Sequence, residues 1–154
     1  MDMATKAATK TKIKPTAGLK VKVATQINVT LDNVPGELGR IAEALAAAGV
    51  NIEGICRTGS KGEVVTEHMV VDKVEAAKKA IGAQGKDIST EEVLAFHSAD
   101  SRPGVVAMIA HTLGEARINI ENMYASAERG KSAVVYVSVA RENFKRALEV
   151  ARTV

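Results

Sequence analysis

The chain has 154 residues, of which 46% are hydrophobic and 25% charged, the composition of one large or two small globular domains. Collagen-like, coiled-coil and wholly disordered chains are excluded, and no apolar run reaches the roughly 18 residues of a membrane span. The net charge of +3 hints at nucleic acid, but residues 1–24 carry six Lys and one acid (+5), whereas residues 25–154 carry 15 basic and 17 acidic residues (−2).

The basicity therefore belongs to a tail. The remainder has no Trp and only two Tyr and two Phe, so it offers little for bases to stack on. One cysteine, Cys56, cannot form an internal disulfide, so nothing argues for secretion. The start lacks the apolar h-region of a signal peptide. A soluble, cytoplasmic protein is expected, with residues 1–18 as a disordered basic leader.

A repeat organises the rest. Shifted by 68 residues, Asp32–Gly36 falls on Asp100–Gly104 and Val50–Glu53 on Ile118–Glu121, with 10 of 22 aligned positions identical between Asp32 and Glu53. The expected division is 19–86 and 87–154, each the size of a small domain.

In chain order, Gln26–Leu31 alternates polar and apolar, as a half-buried strand does. Pro35-Gly36 starts a helix, with Asn33 placed to cap it. Leu38, Ile41, Ala42, Leu45 and Ala48 form its apolar stripe, and Gly49 ends it. Asn51–Thr58 and Glu63–Val71 read as strands joined by a hairpin at Gly59–Gly62. Asp72 with Glu75 resembles a capping box for a second helix, facing inward through Val74, Ala77 and Ile81. The second copy repeats this order: a strand over Val93–Ala99, then a helix with Val106, Ile109, Ala110, Leu113 and Ala116. Strands Asn119–Ser126 and Ser132–Val139 follow, then a helix with Phe144, Ala147, Leu148 and Ala151.

Each unit is β-α-β-β-α, one strand short of the split βαβ sandwich. Leu19–Ala24 and Asp87–Glu92 are the candidates for the missing strands. Leu19, Val21 and Val23 alternate with Lys20 and Lys22 as an edge strand should, so Leu19–Val23 is expected to pair into the second unit's sheet.

The residues most alike between copies include polar ones. Asn33, Gly36 and Asn51, with Ser101, Gly104 and Asn119, are expected to cluster at one end of each unit. A helix N-terminus there suits a carboxylate, glycine permits close approach, and Asp32 or Asp100 suits an ammonium group. Such a site would grip both ends of a free amino acid. Purely structural roles are the other reading, since Asx-Pro-Gly is a common helix start.

Asn33-Val34-Pro35-Gly36-Glu37-Leu38 with Gly49-Val50-Asn51-Ile52 resembles the ACT regulatory domain, as do Arg102-Pro103-Gly104-Val105 and Ile118-Asn119-Ile120. The resemblance covers residues 19–154. It implies an α+β fold of two tandem ferredoxin-like βαββαβ units, antiparallel sheets with helices on one face. It further implies a non-catalytic regulatory protein without cofactor, binding a small ligand, usually an amino acid. Carried over, the contacts would be Asp32, Asn33, Val34, Gly36, Asn51 and Ile52, with Asp100, Ser101, Arg102, Gly104, Asn119 and Ile120. A homodimer and a metabolic enzyme partner are implied as well. Asn-Ile-Glu in both copies resembles the acetolactate synthase regulatory subunit, an alternative to a stand-alone tandem protein. A nucleic-acid-associated regulator using the Lys-rich tail is a weaker alternative.

His68, His97 and His111 fall at three different places in the repeat, without the close spacing of a zinc helix, so no metal is expected. Cys56 is expected as an inert packing thiol. No catalytic constellation stands out, so an enzyme is not expected.

Overall fold

The computed structural model describes residues 18–59 and 61–154. The expected leader lies outside these residues except for Gly18, as does Ser60 of the hairpin turn.

Among the described residues, six strands and four α-helices follow in the order β1 (Lys20–Asp32), α1 (Glu37–Ala47), β2 (Ile52–Thr58), β3 (Val64–Val71), α2 (Val74–Ala83), β4 (Ile88–Ser98), α3 (Val105–Glu115), β5 (Ile120–Ala127), β6 (Ala133–Val139) and α4 (Phe144–Ala151). The strands form one antiparallel sheet in the order β2-β3-β1-β4-β6-β5. The α+β class and the ferredoxin-like units are as expected, with the two sheets joined into one.

The join is a strand exchange. The first half of β1, Lys20–Ala24, pairs with Val93–His97, while Ile88–Glu91 of β4 pairs with Gln26–Val29. Leu19 and Val21 pack on the second unit's core, and Ile88 on the first's. The expected pairing of Leu19–Val23 is therefore found from Lys20 onward, with Leu19 just outside the strand, and it is reciprocal.

Helix-facing residues of the first strands align as Ile27, Val29 and Leu31 against Leu94, Phe96 and Ser98, an offset of 67, whereas α1 and α3 start 68 apart. Ala99 is the extra residue. With that offset, Thr25 pairs with its own equivalent, Glu92, so a local two-fold axis passes between them. β2 and β5 carry a register shift at the same place, Ile52/Gly54 and Ile120/Asn122.

Two cores sit under the helices. Ile27, Leu31, Ile41, Leu45, Met69 and Ile81 centre the first; Leu94, Phe96, Ile109, Leu113, Val137 and Ala147 centre the second. In α3, Val105 and Met108 are buried and Val106 is exposed, correcting the expected inward Val106. The opposite face of the sheet is also buried: Val70, Val93, Ala95 and Tyr136 form a third cluster. It is closed because the sheet curls, bringing edge strands β2 and β5 together. A Cβ on Gly54 would lie 2.6 Å from Tyr136 and 3.1 Å from Tyr124, so only glycine fits at this crossing.

Candidate functional site

Each unit turns from strand into helix in the same way. In the first, Asn33 N–H donates to Glu63 O (2.8 Å) and Asn33 Nδ2 to Gly62 O (3.1 Å). In the second, Ser101 N–H donates to Lys131 O (2.7 Å). Gly36 and Gly104 then take positive φ, +92° and +102°, at the N-cap positions, a backbone that L side chains rarely adopt. Asn33 therefore braces the neighbouring hairpin and does not cap the helix. Neither α1 nor α3 has a side-chain cap, so the first amides of each helix lack the side-chain acceptor that a cap supplies.

Asn51 and Asn119 lie elsewhere. They follow the helix, so they sit at its far end. Val50 N–H donates back to Leu45 O (3.0 Å) and Ile118 N–H to Leu113 O (2.9 Å), closing the C-termini. Asn51 N–H then donates to Asp72 Oδ1 (2.8 Å). The Asp72 carboxylate is thus spent on Asn51, and the expected capping box does not form. On β3, Val64 marks the Asp32 end and Val71 the Ile52 end; seven steps at about 3.3 Å separate these ends by about 23 Å. Within a unit, then, the expected contacts fall into two groups. Asp32, Asn33, Val34 and Gly36, like Asp100, Ser101, Arg102 and Gly104, gather at the turn. Asn51 and Ile52, like Asn119 and Ile120, begin a strand at the opposite end, with Ile52 and Ile120 packed on the cores.

The two turns differ in what surrounds them. At the second, a cavity of about 190 Å³ is lined by Ser101, Arg102, Gly104, Val105, Val106 and Ala107, and by Ala125, Ala127, Ala133 and Val135 from β5 and β6. Ala125 and Val135 are cross-strand partners. Their first-unit equivalents, Arg57 and Glu67, are cross-strand partners too, and there they form an ion pair with Arg57 Nε 2.5 Å from Glu67 Oε1. Glu67 is 1% exposed. Val105 is matched by Glu37, which is buried, bonded to Arg40, and 2.6 Å from Lys86 Nζ through Oε2. The Lys86 hydrogen bond holds the Glu37 carboxyl below its ordinary pKa, against a smaller opposing effect of burial. The four β-strand wall residues belong to neither the Pro-Gly nor the Asn-Ile motif, so motif likeness does not reveal them. The signal was the charge difference between copies, Arg57 and Glu67 against Ala125 and Val135.

A polar cluster also lies on the helix-free face. Gln26, fully buried, donates to Glu91 Oε1 (2.7 Å) and Asn28 Oδ1 (2.9 Å) and accepts from Tyr124 Oη (2.7 Å). His68 Nδ1 is 2.8 Å from Asn28 Oδ1 and its Nε2 is 2.9 Å from Thr58 Oγ1. With Asn28 as acceptor, the Nδ1–H tautomer fits, leaving Nε2 to accept from Thr58. Burial pushes the His68 pKa down, against the pull of Glu91 and Glu67. Burial pushes the Tyr124 phenol well up. Cys56 is free and half-buried, its Sγ 4.0 Å from Asn122 Oδ1. Among the described residues no three His, Cys, Asp or Glu side chains are grouped as a metal would require, and no helix is long and apolar enough to cross a membrane.

No protein-family model matches the chain, and no curated protein sequence matches it. Solved structures do. A Bacteroides thetaiotaomicron protein is 22% identical, with 86% of this chain and 89% of that one covered and a TM-score of 0.76. The regulatory subunit of aspartate kinase from Thermus thermophilus is 20% identical, over 91% of this chain and 98% of that one, with a TM-score of 0.64. A chain from a structure of aspartokinase alpha and beta subunits is 20% identical, over 90% and 97%, with a TM-score of 0.65. The chain thus shares the fold of these proteins, two ferredoxin-like units in tandem, as the resemblance to ACT domains implies.

Proposed function

We propose that the chain is a non-catalytic regulatory protein that binds a free amino acid with a small aliphatic side chain at the second unit's turn. The observation that carries this is the cavity between the start of α3 and the alanines of β5 and β6. Amides of Val105–Ala107 offer partial positive charge to a carboxylate. Arg102 adds a cation to the same wall, and Asp100 suits the ammonium group. Ala125, Ala127, Ala133 and Val135 leave room for an apolar side chain. At about 190 Å³ the space exceeds the ~150 Å³ that accommodates benzene.

The regulatory role is supported by the likeness to regulatory subunits of aspartate kinase. That likeness also favours a second reading, a subunit that acts on a separate biosynthetic enzyme. Cytoplasmic location and homodimerisation belong to the same proposal. If the ligand tightens association, association must tighten ligand binding by the same factor.

Thermal shift and calorimetry against the twenty amino acids test the reading. A response to small aliphatic amino acids, abolished by Ala125→Trp, is expected. No response to any of the twenty would refute amino-acid binding. Retrieval of a large catalytic chain by pull-down would favour the subunit reading over the stand-alone one.

A further inference from the structure

We propose that the first unit's counterpart of this site is occupied by the chain's own charges, so that each chain takes one ligand, and that Arg57, Glu67 and Glu37 set this limit. The inference rests on the reading above for the identity of the second unit's site. It stands on the register of the two hairpins. Arg57 and Glu67 face each other on β2 and β3 as Ala125 and Val135 do on β5 and β6. Where the second unit presents methyl groups and open space, the first presents a guanidinium bonded to a carboxylate buried to 1% exposure. Where the second presents Val105, the first presents Glu37, held by Arg40 and Lys86.

The occupants have the chemistry of a ligand. A carboxylate, Glu37, stands at the first position of α1, where an incoming carboxylate would be drawn. Guanidinium and ammonium groups neutralise it. An added amino acid would have to displace these paired groups, leaving buried charges without partners. Lys86 lies between α2 and β4, where the chain crosses into the second unit, and its equivalent position there is Val154. The second unit thus lacks this clamp's carboxylate, its guanidinium and its ammonium group alike.

The test exchanges the two sets of residues. The intact chain, Glu37→Val/Arg57→Ala/Glu67→Val, and the reciprocal Val105→Glu/Ala125→Arg/Val135→Glu are titrated calorimetrically with alanine, valine, leucine and isoleucine. Expected stoichiometries are one, two and zero per chain. Two per chain in the intact protein, or one in the reciprocal variant, would overturn the proposal. So would one per chain in the first variant with its fold retained by circular dichroism. If the first variant does not fold, the intact chain and the reciprocal variant still decide. If none of the four binds the intact chain, the functional reading has failed, and the crystal structure of the first variant judges the occupancy alone. An opening of about the second unit's size at the α1 start supports it, and a site already open in the intact chain overturns it.

Discussion

Arg57→Ala isolates the energetics of the first unit's ion pair. Glu67 is 1% exposed and Arg57 is 39% exposed at the side chain. Removing one partner of a fully buried pair costs about 3–5 kcal/mol, mostly because the other charge is left without compensation. Here the guanidinium is partly in water, so its removal opens a path for water to reach Glu67, and about 2–3 kcal/mol is the expected loss. For a chain of this size that corresponds to a fall in Tm of about 4–12 °C. Adding Glu67→Val to Arg57→Ala copies the second unit's Ala–Val pair and removes the orphaned charge, so most of the loss should return. The assay is a double-mutant cycle by urea denaturation at neutral pH. A double variant no more stable than Arg57→Ala would refute the reasoning. It would mean that Arg57 acts through the packing of its aliphatic stem and that the pair carries no coupling.

Four further outcomes follow from local geometry. The His68 pKa lies below its ordinary 6.5 because of burial, so the unfolded chain binds the proton more readily; stability should be full above pH 6.5 and fall as pH drops through the folded value, by up to about 1.4 kcal/mol per pH unit. His68→Gln should flatten this acid-side loss in thermal melts, and an unchanged slope counts against it. Arg117 holds φ +56° where the first unit has Gly49 at +69°, so Arg117→Gly should stabilise by about 0.5–1 kcal/mol, and a lower Tm would contradict this. Gly54→Ala places a methyl group 2.6 Å from the buried Tyr136 ring and should cost about 1–3 kcal/mol, whereas wild-type stability would show that the β2–β5 crossing is looser than it stands. Deleting residues 1–24 removes Leu19 and Val21 from the second core and leaves Val93–His97 without their β1 partners, so an unchanged melting temperature would refute the strand exchange.

The sequence was most legible where local patterning coincides with burial. The 3.6-residue stripe placed Ile41 and Leu45 of α1 and Ala147 and Ala151 of α4 in the cores, where they are found. The alternation at Leu19–Val23 foretold a strand paired into the other unit, because a βαββα unit leaves one sheet edge open. Legibility ended where partners are chosen in space. Asp72 reads as a helix cap, but Asn51 N–H competes for it and wins. Asn51 aligns with Asn119 across the repeat as closely as Gly36 does with Gly104, and likeness between copies says nothing about which end of a helix a residue occupies. An 11-residue helix spans about 16 Å, enough to part the two halves of the expected site. The buried Gln26–Glu91 bond was invisible because it depends on the strand exchange and on the curl that brings Tyr124 over Gln26.

The exchange also bears on how a ligand in one unit could matter to the other. β4 is one continuous strand, with its first half paired in the first unit's sheet and its second half ending at the second unit's turn. At its start stands Lys86, 2.6 Å from the Glu37 carboxylate; at its end, Ser98 Oγ donates to Asp100 O across the turn that borders the cavity. Neither unit closes its sheet with its own residues, so neither can shift its first strand without moving a pairing that belongs to the other. A ligand that favours one position of the Asp100–Gly104 turn therefore acts on the sheet of both units. It can do so only to the extent of its differential affinity for the two positions, and the proof of such coupling is energetic. A double-mutant cycle between Lys86 and Ala125, read as ligand affinity, measures it directly.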